Sequence, residues 1–198
     1  LLLHAPLALT PGPAGAPPEA PLPPAFPNHT DAAAAGRFRA WLGRLDPEAP
    51  WFAWVQLSAP ALPRFDAAGR PLAAGDTNGY LRAVEAADAA VGAALDALAA
   101  APGAARTVVC VTASSGESLG ENGETGHGLL LRAPTRQVPG LLRIPGGRGA
   151  GTRLPFSASL VQLAPTLLDL AAVKPHKTQK ANWAYLRWLD PVRAIKHL

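Results

Sequence analysis

Two short apolar runs with one long amphipathic segment between them constrain this chain more than any other feature. The first run, at 51–57, reads WFAWVQL, and the second, at 107–112, reads TVVCVT. Between them, apolar residues recur at steps of three and four from Tyr80 to Leu98, which predicts a helix that starts at about Thr77. Runs without polar alternation are typical of strands buried on both faces. We therefore predict a strand–helix–strand unit whose two strands are parallel and adjacent or nearly adjacent.

Three further elements extend this unit. A helix is predicted from Asp31, a good N-cap residue, because apolar residues follow it at helical spacing. A third strand is predicted at 138–144 and a last helix at 159–172, where Pro165 marks a helix start or a kink. This alternation of helices and strands predicts an α/β fold, with a mostly parallel sheet flanked by helices.

Serine residues directly follow both predicted strands of the central unit. Ser58 comes after the first strand, and Ser114 and Ser115 come just after the second. Ligands gather at the carboxyl ends of the strands in open α/β sheets. The topology therefore predicts a site at this edge, while the nature of its ligand stays open.

Composition divides the 198 residues into three parts. Eight prolines between positions 11 and 27 predict an irregular lead-in at 1–30, because proline is excluded from helix interiors and central strands. A single domain is predicted at 31–173, and all four lysines lie in a basic tail at 174–198. Because the positive charge belongs to this tail, we expect no nucleic-acid partner for the domain.

The basic tail also contains three large aromatic residues, Trp183, Tyr185 and Trp188. Three interpretations are open. The tail can be an interfacial segment on an anionic membrane, since Trp and Tyr favour the head-group region. It can also be a terminal segment docked across the sheet edge, or a stretch foreign to the rest of the domain.

Two absences in the sequence limit the other possibilities. Cys110 is the single cysteine and lies within an apolar run, so we expect a small core residue without an internal disulfide. No run approaches the roughly twenty apolar residues that a membrane-spanning helix needs. We therefore expect no transmembrane span in these residues.

The segment 113–128, which reads ASSGESLGENGETGHG, carries the most specific motif of the chain. It resembles the metal-site signature of the sulfatase-like branch of the alkaline phosphatase superfamily. There, a buried strand delivers an Asp-His pair to a divalent metal, and Gly-Glu-Ser-Leu-Gly-Glu and His-Gly follow. In this chain Ser114 and Ser115 hold the positions of that pair. Two hydroxyls are poor substitutes for a carboxylate and an imidazole as ligands of a divalent cation.

Other segments resemble the same family in the same order along the chain, over about residues 31 to 173. They are the segment 51–63, the helix that contains Tyr80, the segment 137–146, and LAPTLLDL at 163–170. The resemblance is closest to membrane-anchored periplasmic sulfatase-like proteins and to the phosphoethanolamine transferases that modify lipid A. It implies the C-terminal part of an alkaline-phosphatase-like fold, here incomplete. The family's nucleophile and first metal ligands belong to an N-terminal half that these residues do not match.

The resemblance implies hydrolysis or transfer of sulfate or phosphate esters at a centre that holds Zn, Ca or Mn. Because Ser114 and Ser115 replace the ligand pair, we expect no metal or other cofactor in this chain and a catalytically impaired homologue. The alternative is a non-enzymatic lipid-binding or regulatory periplasmic module. The implied partners are an anionic lipid or a sulfate or phosphate ester. The implied location is the periplasmic face of the bacterial inner membrane, reached through an N-terminal part or the basic tail.

Five residues are the candidates for the site, and each has a structural alternative. His127 and Glu117 are the catalytic candidates, although His127 can be an ordinary loop residue, and Glu117, like Glu121, can serve to hold the loop. Ser114 and Ser115 can bind an anion or act as nucleophiles, or they can fill a decayed metal site. Arg132, with Arg136, can bind a phosphate or a lipid head group, or can lie on a solvated surface. We predict no metal ligand.

Overall fold

The computed structural model describes residues 2–4, 31–66, 70–154 and 157–173. It contains four helices and six strands in that part of the chain. In chain order they are β1 (Leu2–His4), α1 (Asp31–Leu42), β2 (Phe52–Trp54), α2 (Thr77–Ala99), β3 (Val108–Thr112), β4 (Ser118–Leu119), β5 (Thr125–Gly126), α3 (Ala133–Arg136), β6 (Gly140–Arg143) and α4 (Leu163–Leu170). All the helices and strands predicted between residues 31 and 173 are present, although most are shorter than predicted.

The main sheet has four strands in the order β2-β1-β3-β6, and each of its three pairings is antiparallel. Since β2 and β3 both run opposite to β1, they are parallel to each other with one strand between them. The prediction of two nearly adjacent parallel strands is therefore confirmed. The prediction of a mostly parallel sheet is wrong for the described strands, because β1 lies between β2 and β3 and β6 runs antiparallel to β3.

Strand β1 corrects the predicted lead-in at one point. Leu2–His4 form a central strand, whereas the whole of 1–30 was predicted to be irregular. The prolines that forbid a central strand begin only at Pro6, so three residues before it are free to pair. Residues 5–30 and the basic tail lie outside the described residues. In the part that is described, none of the helices is both long and apolar enough to cross a bilayer.

Helices α1 and α2 cover one face of the sheet. The buried core on this side joins both helices to β2 and β3 and consists of Ala35, Phe38, Leu42, Val55, Ala90, Ala94, Leu98 and Val109. Small alanines on both helices allow them to approach closely. Helix α2 begins as predicted at Thr77, because the side chain of Asp76 caps it by accepting a hydrogen bond of 2.9 Å from the backbone N–H of Gly79.

Helix α4 covers the opposite face, where Leu167 packs against Val108 and Cys110 of β3. Its Pro165 lies in the first turn, where a missing backbone N–H costs nothing, so Pro165 marks the helix start and does not kink it. Helix α4 does not cover β2. Trp54 of β2 is 71% exposed, although the strand register places it on the same face of the sheet as Cys110. The prediction that 51–57 is buried on both faces is therefore wrong, because β2 is an edge strand of this sheet and no described helix packs on that side of it.

We expect the thiol of Cys110 to resist a soluble disulfide reagent in the folded protein and to react fully in denaturant. The residue is 3% exposed, and burial raises the pKa of its thiol. Both effects suppress reaction, because the thiolate is the nucleophile. As Cys110 is the single cysteine, release of the reagent's chromophore reports on it alone. A native-state rate close to that of a free peptide thiol would contradict its packing beneath α4.

Candidate active site

The sulfatase-like signature forms a loop and a small hairpin directly after β3. Strand β3 ends at Thr112, and β4 then pairs with β5 in the register Ser118 with Gly126 and Leu119 with Thr125. Ser114 is exposed and Ser115 is half-buried in the loop between β3 and β4. The signature therefore lies at the carboxyl end of β3, as the topology predicted.

Gly116 joins this loop to the segment that carries Arg132. The backbone N–H of Gly116 donates a hydrogen bond of 2.9 Å to the carbonyl of Thr135. A Cβ atom at position 116 would lie 1.9 Å from the carbonyl oxygen of Pro134, so only glycine allows this approach. The hydroxyl of Thr135 in turn donates to the carbonyl of Leu130 at 2.8 Å. The hydrogen bonds of the Gly116 N–H and the Thr135 hydroxyl thus hold the signature against residues 130–136.

Glu117 and His127 are brought together by the hairpin. The pairing of Ser118 with Gly126 places positions 117 and 127 opposite each other, just beyond the paired residues. His127 Nδ1 lies 3.0 Å from Glu117 Oε2, and the side chains of His127 and Glu117 are 43% and 6% exposed. A buried carboxylate that accepts the Nδ1 proton would leave Nε2 facing outward as an acceptor. Glu117 Oε1 is buried and, among the described residues, has no hydrogen-bond partner.

Two more glutamates of the signature shape its backbone. Glu121 Oε2 accepts hydrogen bonds from the backbone N–H of Leu119 at 2.6 Å and from the hydroxyl of Ser118 at 3.0 Å. The pKa of Glu121 is lowered by hydrogen bonds from its own backbone, from Leu119 and from Ser118. Glu124 is buried, and its Oε1 accepts the backbone N–H groups of Leu129 and Leu130 at 3.1 and 3.0 Å. The interpretation that Glu121 holds the loop is thus confirmed, and Glu124, which the sequence did not single out, does the same for the next segment.

The loop after β2 is fixed by a contact that sequence reasoning missed. The carboxylate of Asp31 is buried and accepts the backbone N–H groups of Ser58 at 2.8 Å and Ala59 at 3.1 Å. Asp31 was predicted to cap α1, but it is the first residue of the helix and its side chain serves the loop instead. Partners 27 residues apart leave no periodic signal in the sequence. The carboxyl end of β2 is therefore anchored to α1.

The predicted site residues are thus only partly assembled. Glu117 and His127 are in contact, Ser114 and Ser115 lie in the preceding loop, and Arg132 is exposed just before α3. Across the described residues, no three His, Cys, Asp or Glu side chains lie together as metal ligands would. A tetrahedral centre takes four ligands, or three with an open position, whereas this site offers one carboxylate and one imidazole. The divalent metal that the resemblance implies does not fit this donor set.

Comparison with known protein families supports membership of the family that the signature resembles. The family model described as Sulfatase matches residues 11–173, well over half of the chain. The matched region ends where the predicted basic tail begins. No curated protein and no solved structure gives a significant match. A sulfatase domain implies an alkaline-phosphatase-like α/β fold, whereas the described part of the chain has helices and short strands whose pairings are antiparallel. The chain therefore belongs to the sulfatase family.

Proposed function

We propose that this sulfatase-family domain binds a sulfate or phosphate ester at the carboxyl end of β3 and is catalytically impaired. Its family context is the hydrolysis or transfer of such esters. The observation that carries the proposal is the donor set of the signature. Two serines stand where the metal-binding pair is expected, and an acid–base contact within the same signature joins Glu117 to His127.

This donor set supports binding of an anion better than turnover of an ester. Hydroxyls of Ser114 and Ser115, backbone donors near Gly116 and the guanidinium of Arg132 are suitable partners for sulfate or phosphate oxygens. Turnover needs more, because a metal ion normally neutralises the charge that develops on those oxygens and an activated nucleophile attacks the central atom. In the part of the chain that the structure describes, the hydrogen bond of His127 is with Glu117 and not with either serine, so His127 is not placed there as the base that would activate a serine.

A non-enzymatic lipid-binding or regulatory module is the alternative function. It draws support from the composition of the basic tail, which holds four lysines and three large aromatic residues. In either case we propose a periplasmic location at the inner membrane, on the resemblance to membrane-anchored relatives. Hydrolase assays with and without divalent metal, together with salt-dependent vesicle binding that is lost on deletion of 174–198, separate the two functions.

Calorimetry with Zn²⁺, Mn²⁺ and Ca²⁺ tests the proposal directly. We expect no binding tighter than micromolar by the unmodified chain and no metal-dependent ester hydrolysis, because Ser114 and Ser115 supply no charge. The double variant Ser114→Asp/Ser115→His is expected to gain affinity by about tenfold, since it restores two ligands of an incomplete set.

The matched control places the same pair of side chains at an exposed position elsewhere. Ser157→Asp/Ala158→His adds the same carboxylate and imidazole to an exposed segment before α4 and is expected to leave metal affinity unchanged. Sub-micromolar binding by the unmodified chain would contradict the expected loss of the metal site, and metal-dependent turnover would show that the domain is an active metalloenzyme. Equal gains in the two variants would show that positions 114 and 115 are not part of a site.

A further inference from the structure

Two leucines beside His127 are among the most exposed apolar residues of the described chain. Leu129 is 85% exposed and Leu131 is 90% exposed, while Leu130 between them is 37% exposed. Single exposed leucines are common on protein surfaces and need no explanation. Here, however, two of them stand in one short segment that begins two residues after a candidate site residue.

The backbone that carries these leucines is fixed, so their exposure is built into the fold. The buried carboxylate of Glu124 accepts the N–H groups of Leu129 and Leu130, and the hydroxyl of Thr135 donates to the carbonyl of Leu130. Polar contacts on both sides of Leu130 therefore prevent the segment from folding its leucines inward. The fold therefore holds an apolar loop in a fixed, outward-facing position, which is what a loop that contacts a partner requires.

The charged side chains in the sequence from this segment onward to Asp169 have one sign. Between Glu124 and Asp169 the sequence contains five arginines and no Asp or Glu. Two of these arginines, Arg132 and Arg136, are exposed immediately after the leucines. Among the described residues neither guanidinium forms an ion pair. Such groups next to exposed leucines match the interface of an anionic bilayer, where apolar side chains enter the acyl boundary and arginines bind lipid phosphates.

Another exposed Leu-Arg pair in this chain does not share these properties. Leu81 and Arg82 lie on α2, where Leu81 is 52% exposed. Glu85 follows three residues later on the same face of the helix and carries the opposite charge, and Asp88 adds a second carboxylate nearby in the sequence. This surface therefore provides an internal control with the same residue types and a balanced charge.

We propose that residues 129–136 form a membrane-contacting loop that inserts Leu129 and Leu131 into the interface of an anionic lipid bilayer. The loop goes beyond the proposed ester-binding function, because its contacts require neither Ser114 nor Ser115. It is also distinct from the basic tail. Its position next to His127 would bring the signature to the level of the lipid head groups.

The direct test is an environment-sensitive fluorophore attached at Leu131→Cys in the 198-residue chain. Cys110 is buried and leaves position 131 as the accessible thiol. We expect a blue shift with vesicles of phosphatidylglycerol and phosphatidylcholine, no shift with phosphatidylcholine alone, and loss of the shift at high salt. The same fluorophore at Leu81→Cys is expected to show no shift with either vesicle.

Co-sedimentation with the anionic vesicles supplies a second measurement. Leu129→Ser/Leu131→Ser is expected to lower vesicle affinity at least tenfold, whereas the control Leu81→Ser/Val84→Ser is expected to change it less than twofold. Circular dichroism verifies that both variants are folded.

Three outcomes would overturn the proposal. Vesicle binding without a blue shift at position 131 would assign the contact to another surface, such as the basic tail. Absence of vesicle binding would leave the loop without a membrane partner. A blue shift that depends on protein concentration and needs no vesicles would instead identify a contact between copies of the chain. None of these results bears on metal or ester binding, so the proposed function stands or fails separately.

Discussion

Replacing Gly116 with alanine is expected to lower the free energy of unfolding by about 3 kcal/mol, at the upper end of the usual cost of overpacking. The added methyl group would lie 1.9 Å from the carbonyl oxygen of Pro134, which is backbone and cannot rotate away. The loop would have to move, and the hydrogen bond from Gly116 to Thr135 would be lost with it. Urea denaturation with linear extrapolation measures the change.

Gly92→Ala is the matched control for this substitution. Gly92 lies inside α2, and a Cβ atom there meets nothing within 4 Å. Alanine is favoured over glycine in helix interiors, so this variant is expected to raise the free energy of unfolding by about 0.5–1 kcal/mol. If the decrease in the free energy of unfolding caused by Gly116→Ala were smaller than the increase caused by Gly92→Ala, the close approach between the signature and Pro134 would be contradicted.

Replacing Arg64 with alanine is expected to lower the free energy of unfolding by about 4 kcal/mol, since it creates a cavity and leaves buried carbonyls unsatisfied. Arg64 is 1% exposed and donates hydrogen bonds to the carbonyls of Pro60 and Ala74. Its guanidinium also lies 5.4 Å from the centre of the Tyr80 ring. One side chain thus ties both ends of the 60–74 loop to α2.

We expect Arg64→Ala also to change the environment of residues in the signature hairpin. The loop that Arg64 holds approaches the hairpin through Leu62, whose Cδ1 lies 3.1 Å from the position of a Cβ on Gly126. We therefore expect the NMR signals of the neighbouring His127 to change and limited proteolysis to cut within residues 60–74. These readouts separate loss of the loop from a uniform loss of stability.

Arg70→Ala is the control, because Arg70 lies in the same loop and has a surface ion pair. Its side chain is 79% exposed and bonds to Asp66 at 2.7 Å. Exposed pairs of this kind contribute roughly 0–1 kcal/mol, so Arg70→Ala is expected to have little effect. Equal losses in the two variants would show that burial of Arg64 does not determine the stability of the loop.

Local features of the fold were predictable from the sequence because they depend on neighbouring residues. The helix between the two apolar runs was predicted from Thr77 and begins there, since apolar spacing and the Asp76 cap are both local. The second run became β3, and the 163–170 motif became α4. The family was also predictable, because several motifs occur in one order along 31–173, and the family match extends over 11–173.

Pairings between distant segments depended on the tertiary structure. An apolar run predicts a strand but not the direction in which that strand pairs. The antiparallel pairing of Leu2–His4 with both β2 and β3 therefore could not be predicted from the sequence. Asp31 was predicted to cap its own helix, whereas its carboxylate accepts a hydrogen bond from the backbone of Ser58. This contact could not be predicted, because the identity of a capping residue does not indicate a partner far along the chain. Arg64 gave no signal at all, since arginine is ordinarily exposed.

The candidate site illustrates the same division. By itself the sequence determined that hydroxyls stand at Ser114 and Ser115, where the resemblance implies a metal-binding pair, because the identity of a side chain determines its charge and ligand chemistry. The tertiary structure alone decided that Glu117 pairs with His127, since the register of a two-residue ladder places them opposite each other. It also decided that Leu129 and Leu131 face outward, because the buried carboxylate of Glu124 fixes the backbone on which they stand.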